Sequence, residues 1–197
     1  MKTLLHICCA PCANQPIEVL RTDKIEVTGF WYNPNIHPFT EYRARRNCLR
    51  EYAEAISLPL LERDDYGLRP FVREVAADIA GRCVKCYEMR LFETARQASE
   101  GGFDSFTSSL FISPYQNHAG IIAAAEAAAA KYGVEMRNVL TGFKFIGEKI
   151  KEKHKDEFED GKVFFMLILS FSLRSRLRLF ISTWSAILSA SALFSMK

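Results

Sequence analysis

Cysteine is missing after Cys86, acidic side chains are missing after Asp160, and no leader segment is expected ahead of the first strand-like run. Met1-Lys2 leads directly into a short apolar stretch, without the long apolar core and small-residue cleavage site of a secretory signal. An oxidising compartment is therefore not expected, a cytoplasmic location is, and the thiols read as metal ligands or redox groups. A basic surplus is missing as well. The net charge is +3, but the residues from Gly161 onward contain no Asp or Glu, and the first 160 hold 21 basic against 23 acidic residues. Overall basicity thus gives no argument for nucleic-acid binding by the main domain. Nor is there an unbroken apolar run of the roughly 20 residues that a membrane span needs. Residues 163–173 and 180–196 are apolar and serine-rich, but the basic run 174–178 divides them, so membrane association is not expected.

The chain has 197 residues, enough for one domain with a sizeable core. Two parts are expected: an α/β domain over 1–145 and an atypical C-terminal tail over 146–197. Disorder, helix or a shifted reading frame would each account for the tail.

Six cysteines are more than packing requires. Cys8 and Cys9 end an apolar strand in Leu4-Leu5-His6-Ile7-Cys8-Cys9-Ala10-Pro11-Cys12, and Cys83 and Cys86 form a CxxC far downstream. A vicinal pair makes a poor disulfide because its ring is strained, whereas four converging thiolates suit a soft metal or an iron–sulfur cluster. Structural zinc is a second reading, and burial of Cys8 and Cys9 as small apolar side chains a third. Cys9-Ala10-Pro11-Cys12 also has the spacing of a redox dithiol. Cys48, alone on a helical stretch, reads as a core residue.

Strands are expected at 3–7, 25–32, 58–61, 103–110 and 134–139, with helices at 14–20, 39–55, 69–79, 86–99 and 120–131. This alternation predicts an α/β fold: a parallel sheet with helices on both faces. The loops after the first, second and fourth strands would then share the C-terminal sheet edge, where such folds bind ligands. His37 and His118 lie in loops near that edge. His6, inside a strand, reads first as a core histidine. Tyr32-Asn33-Pro34-Asn35 and Ser113-Pro114-Tyr115-Gln116 read as turns or as substrate contacts. Arg43, Arg45 and Arg46 read as a solvated helix face or as phosphate contacts.

Together HICCAPC, FWYNPNIHP, EYRARR, GRCVKCYEMRL and SFTSSLFISPYQN resemble the QueH-type epoxyqueuosine reductases, over about residues 3–140 in order and spacing. The resemblance implies a fold like that of the HUP-type nucleotide hydrolases. HICCAPCA stands where their ATP-pyrophosphatase relatives carry SGGxDS, so ATP chemistry is not implied. It implies reduction of epoxyqueuosine to queuosine at the tRNA wobble position, without cobalamin, with tRNA and an unidentified electron donor as partners. Cys8, Cys9, Cys83 and Cys86 would ligate a [4Fe–4S] cluster, and a second metal ion beside it would act as a Lewis acid. The proton for the leaving oxygen would come from His6, Tyr32, His37 or bound water. Substrate contacts would fall on Tyr32, Asn33, Asn35, Tyr42, Arg46, Ser113 and Tyr115, with phosphates met by Arg43, Arg45, Arg46, Lys85 or Arg90. The family's C-terminal YCGC-like redox pair has no counterpart here, which puts turnover, though not cluster binding, in question. The alternative readings are another iron–sulfur or dithiol enzyme acting on tRNA and a metal-stabilised non-catalytic domain.

Overall fold

A computed structural model describes residues 1–113 and 116–138. The elements run β1 (Lys2–His6), α1 (Ala10–Thr22), β2 (Glu26–Trp31), α2 (Phe39–Ala55), β3 (Leu60–Glu62), α3 (Leu68–Val75), α4 (Arg82–Glu100), β4 (Ser105–Ser108), α5 (His118–Tyr132) and β5 (Glu135–Met136). One turn of 3-10 helix, Ser109–Ile112, follows β4. All five strands pair in parallel in the order β3-β2-β1-β4-β5. The α/β architecture expected from the alternation is the one observed. The expected tail, 146–197, and Tyr115 lie outside the described residues.

Alternation along the strands divides the core into two layers. Leu4, Phe30 and Phe106 face one side, where they meet Tyr87, Leu91, Ala95 and Ala98 of α4 and Ile121, Ala124, Ala125 and Ala128 of α5. The alanines let those two helices pack closely. Leu5, Ile7, Val27 and Trp31 face the other side, against Ala13, Ile17 and Leu20 of α1 and Tyr42, Leu49 and Ala53 of α2. The helices therefore cover both faces. Among the described residues no helix is long and apolar enough to cross a membrane.

Several boundaries differ from the sequence reading, for identifiable reasons. Helix α1 begins at Ala10 rather than at 14, because Pro11 sits in its first turn, where a missing N–H costs nothing. Helix α4 begins at Arg82 rather than at 86, so Cys83 and Cys86 lie within its opening turns. Cys48 is exposed rather than buried: Leu49 takes the inward position on α2. Gly67, at φ +60, enters α3 so close to Pro34 that an added Cβ would stand 2.3 Å from the proline Cβ. That contact fixes α3 against the loop following β2.

Candidate metal centre

The strand order reverses between β1 and β4, and the crevice outside this switch point is where ligands enter doubly wound sheets. Cys8 emerges there. Its backbone N–H donates to Ser109 Oγ at 3.0 Å, and that hydroxyl donates to Cys8 Sγ at 3.4 Å, tying β1 to the turn after β4. Asn33 Nδ2, from the loop after β2, donates to the Ile7 carbonyl at 2.9 Å. Strand β1 is thus clamped from both neighbours just before its thiols.

The vicinal pair divides between the two layers. Cys8 packs against the α4–α5 layer, whereas Cys9 is the N-cap of α1. Cys12 lies in the first turn of α1, and the Sγ atoms of Cys8, Cys9 and Cys12 all fall within 4.8 Å of one another. Cys8 Sγ and Cys9 Sγ are 3.9 Å apart, and Cys9 Sγ and Cys12 Sγ 2.6 Å. The first turns of α1 and α4 contain no acidic residue, so each helix presents an uncompensated positive end to its cysteines. The Cys12 and Cys9 thiols hold Cys8 well below the ordinary thiol value, with Ser109 adding to the effect. Hydrogen bonds to Cys8 and Cys9 push Cys12 upward. Of the three thiols, Cys8 is therefore the first to ionise.

Cys83 is exposed and Cys86 half-buried, both on α4. Burial pushes the Cys86 thiol up and Arg90 pulls it down, while charge on Cys83 and Cys8 adds to the upward shift. Cys86 therefore lies within electrostatic reach of Cys8, although the tight group among the described residues is Cys8, Cys9 and Cys12. Sequence reading noted Cys12 only as half of a dithiol. Its i, i+3 relation to Cys9 on a helix was the signal that could have placed it here.

The remaining expected residues separate into engaged and free groups. His6 is fully buried: Nε2–H donates to the Tyr32 carbonyl at 3.1 Å, and Nδ1 accepts from Ser108 Oγ at 2.9 Å. That tautomer follows from the chemistry of the partners, since a carbonyl only accepts and Ser108 Oγ already accepts from Leu110 N–H. Burial, then Arg90, lowers His6 to about 4, so the ring is neutral with both nitrogens occupied. His37 packs edge-on against Tyr66 with ring centroids 4.9 Å apart, and burial lowers its pKa. Its two nitrogens, Asn33 Oδ1 and Asn35 Oδ1 are buried without hydrogen-bond partners. Tyr32 stacks on Phe30, and the Arg63 guanidinium lies 4.8 Å over its ring.

Tyr42 is buried, donating its hydroxyl hydrogen to Asp64 Oδ1 at 2.8 Å and accepting from Trp31 Nε1 at 3.1 Å. Arg46 pairs with Asp64. Both side chains are thus committed to a bracket holding α2 to the segment after β3. Arg46 holds Asp64 below the ordinary carboxylate value, burial opposing and Tyr42 assisting. A depressed carboxylate contributes stability that is complete above its unfolded value of about 3.9 and disappears as pH falls through the folded value. Asp64→Asn is therefore expected to flatten the loss of stability below about pH 4, measured as urea midpoints from neutral to acidic pH.

Arg43 is exposed beside Phe39, and Arg45 pairs with Glu41. Lys85 pairs with Glu88. Arg90 is buried, so it is not a surface phosphate contact. Ser113 accepts from His118 Nε2 through its carbonyl at 2.8 Å, bracing the loop before α5.

Comparison with known proteins points to one family. A family model described as Epoxyqueuosine reductase QueH matches residues 3–158. Among curated relatives, the Epoxyqueuosine reductase QueH of Dehalococcoides mccartyi is 39% identical over 133 residues, covering 68% of this chain and 73% of its own. The proteins of the same name from Histophilus somni and Haemophilus influenzae are 37% and 36% identical over 135 residues, 66% of this chain in each case. The chain matches only 56% and 55% of the length of those two. With the family model spanning the sheet, both cysteine-bearing helix starts and the loops around them, the chain belongs to the epoxyqueuosine reductase QueH family.

Proposed function

We propose that this chain reduces epoxyqueuosine in tRNA to queuosine, with Cys8, Cys9, Cys83 and Cys86 holding a [4Fe–4S] cluster. The observation that carries this reading is the gathering of thiols at the sheet's switch point, beside two helix N-termini free of acidic residues. The donor set suits the group. Thiolates are soft ligands, the site offers more of them than one disulfide uses, and positive helix ends favour their ionised form. A bound cluster supplies one-electron transfer at low potential.

Removing an epoxide oxygen consumes two electrons and two protons, releases water and leaves a carbon–carbon double bond. The chain's own part is to orient the base and to deliver a proton to the departing oxygen. His6 is poorly suited to that task, because both ring nitrogens are engaged and the ring is neutral. Tyr32 is better suited. Burial raises its pKa, so its phenol keeps the proton at neutral pH. Asn33 and Asn35, whose side-chain Oδ1 atoms lack partners, are the acceptors nearest in sequence for orienting a polar substrate. The modified base must leave its stack to reach such a crevice, as in other base-directed enzymes.

The test is anaerobic reconstitution followed by iron and sulfide analysis, then incubation with epoxyqueuosine-bearing tRNA and dithionite. Queuosine in the nucleoside digest is the expected result. A colourless protein retaining a single zinc, or full cluster content with epoxyqueuosine persisting, would overturn the reading.

A further inference from the structure

Arg90 is the one buried Lys, Arg, Asp or Glu among the described residues, at 4% exposure. No carboxylate among them lies within ion-pair distance of it. Its Nε donates to the Cys86 carbonyl at 3.1 Å, and Nη2 donates to Cys86 Sγ at 2.8 Å. A buried cation without a counter-charge is costly, and a neutral carbonyl and thiol compensate it poorly. The nearby positive end of α4 offers no relief, since its first turn contains no acid.

The anion that completes this arrangement is the thiolate centre itself. We propose that Arg90 is its built-in counter-cation, a positioning residue whose hydrogen bond to Cys86 Sγ stabilises the negative charge of a thiolate-ligated metal group and raises its reduction potential. Hydrogen bonds to ligating sulfurs and the net charge around a cluster are among the factors that set its potential. The i, i+4 spacing of Cys86 and Arg90 on α4 places the guanidinium over the turn carrying the thiol. The inference rests on the thiolate-site reading above, but not on activity.

The test compares wild type with Arg90→Lys and Arg90→Met, each as apo protein, titrated with Co(II), and reconstituted with iron and sulfide. A Co(II) tetrathiolate has the same net charge as an oxidised [4Fe–4S] tetrathiolate, so it probes the charge whether or not the cluster assembles. Arg90→Met is expected to weaken Co(II) binding about tenfold, the lower end of what loss of a ligand's supporting partner brings. It is also expected to lower the cluster midpoint by ~59 mV, a tenfold change for a one-electron couple. Arg90→Lys, which keeps the charge, is expected to stay close to wild type in both. Equal Co(II) affinity and equal midpoint in Arg90→Met and wild type would overturn the assignment. So would Arg90→Lys failing as badly as Arg90→Met, which would indicate shape rather than charge. If Arg90→Met does not fold, Arg90→Gln takes its place, keeping a polar donor without the charge. Failure to take up iron and sulfide, with the Co(II) affinities shifted as expected, would sink the cluster reading and leave Arg90 standing.

Discussion

Cys8→Ser is expected to abolish retention of iron and sulfide, and with it the epoxide reduction proposed above. Three features single out this thiol. It stands at the strand-order reversal, it is held by Ser109 through both its N–H and its sulfur, and the neighbouring thiols hold its pKa well below the ordinary value. A serine hydroxyl in that position is a hard, protonated donor and cannot replace a thiolate toward iron. The loss should exceed the ~10–100-fold effect of removing a partner that merely supports a ligand. Iron and sulfide per chain, with the charge-transfer absorbance, measure it directly. Parallel variants separate the two possible ligand sets. If Cys83 and Cys86 complete the set, Cys83→Ser loses the metal while Cys12→Ser keeps it. The opposite pattern would show that the tight group Cys8, Cys9 and Cys12 is the true donor set and would overturn the proposed ligation.

How much of this was legible in the sequence differs from element to element. Helix α2 was read at its observed bounds because Leu49 and Ala53 form one apolar face against a charged remainder, a pattern that needs no tertiary information. The start of α1 was obscured by Pro11, which resembles a loop residue in isolation but is at home in a first helical turn. Cys83 was expected ahead of a helix beginning at Cys86 and lies inside it, because the helix starts at Arg82 with Gly81 as its N-cap. Topology was legible, since alternating strands and helices allow few arrangements. Side-chain commitments were not. Tyr42 and Arg46 looked available for substrate until Trp31 and Asp64 were seen to engage them. Arg90 looked like one more surface cation until α4 turned it inward. A sequence shows which residue types could do chemistry; only packing shows which of them are already occupied.

Occupancy also ranks the candidates for the proton. Tyr32→Phe is expected to lower single-turnover reduction at least ~10²-fold, the lower end of what a positioned general acid contributes. Iron content and tRNA affinity should change little, because the phenylalanine ring keeps the stack on Phe30 and the packing beneath Arg63. The pH dependence gives an independent check. Burial raises the Tyr32 pKa, only partly offset by Arg63, above the ordinary tyrosine value of about 10. A phenol acting as an acid works only while protonated, so its contribution is complete at neutral pH and disappears as pH rises through that raised value. Wild type should therefore show an alkaline limb above the ordinary tyrosine range, and Tyr32→Phe should lack it. A wild-type rate in Tyr32→Phe would remove tyrosine from the mechanism and return the proton to water or to His37. His37→Gln then distinguishes those two, because burial lowers the His37 pKa and a donor working only while protonated would add rate as pH falls below the ordinary histidine value of about 6.5. Both residues thus lose their contribution as pH rises, Tyr32 above the ordinary tyrosine range and His37 already below the ordinary histidine value of about 6.5, and one set of single-turnover rates decides between them.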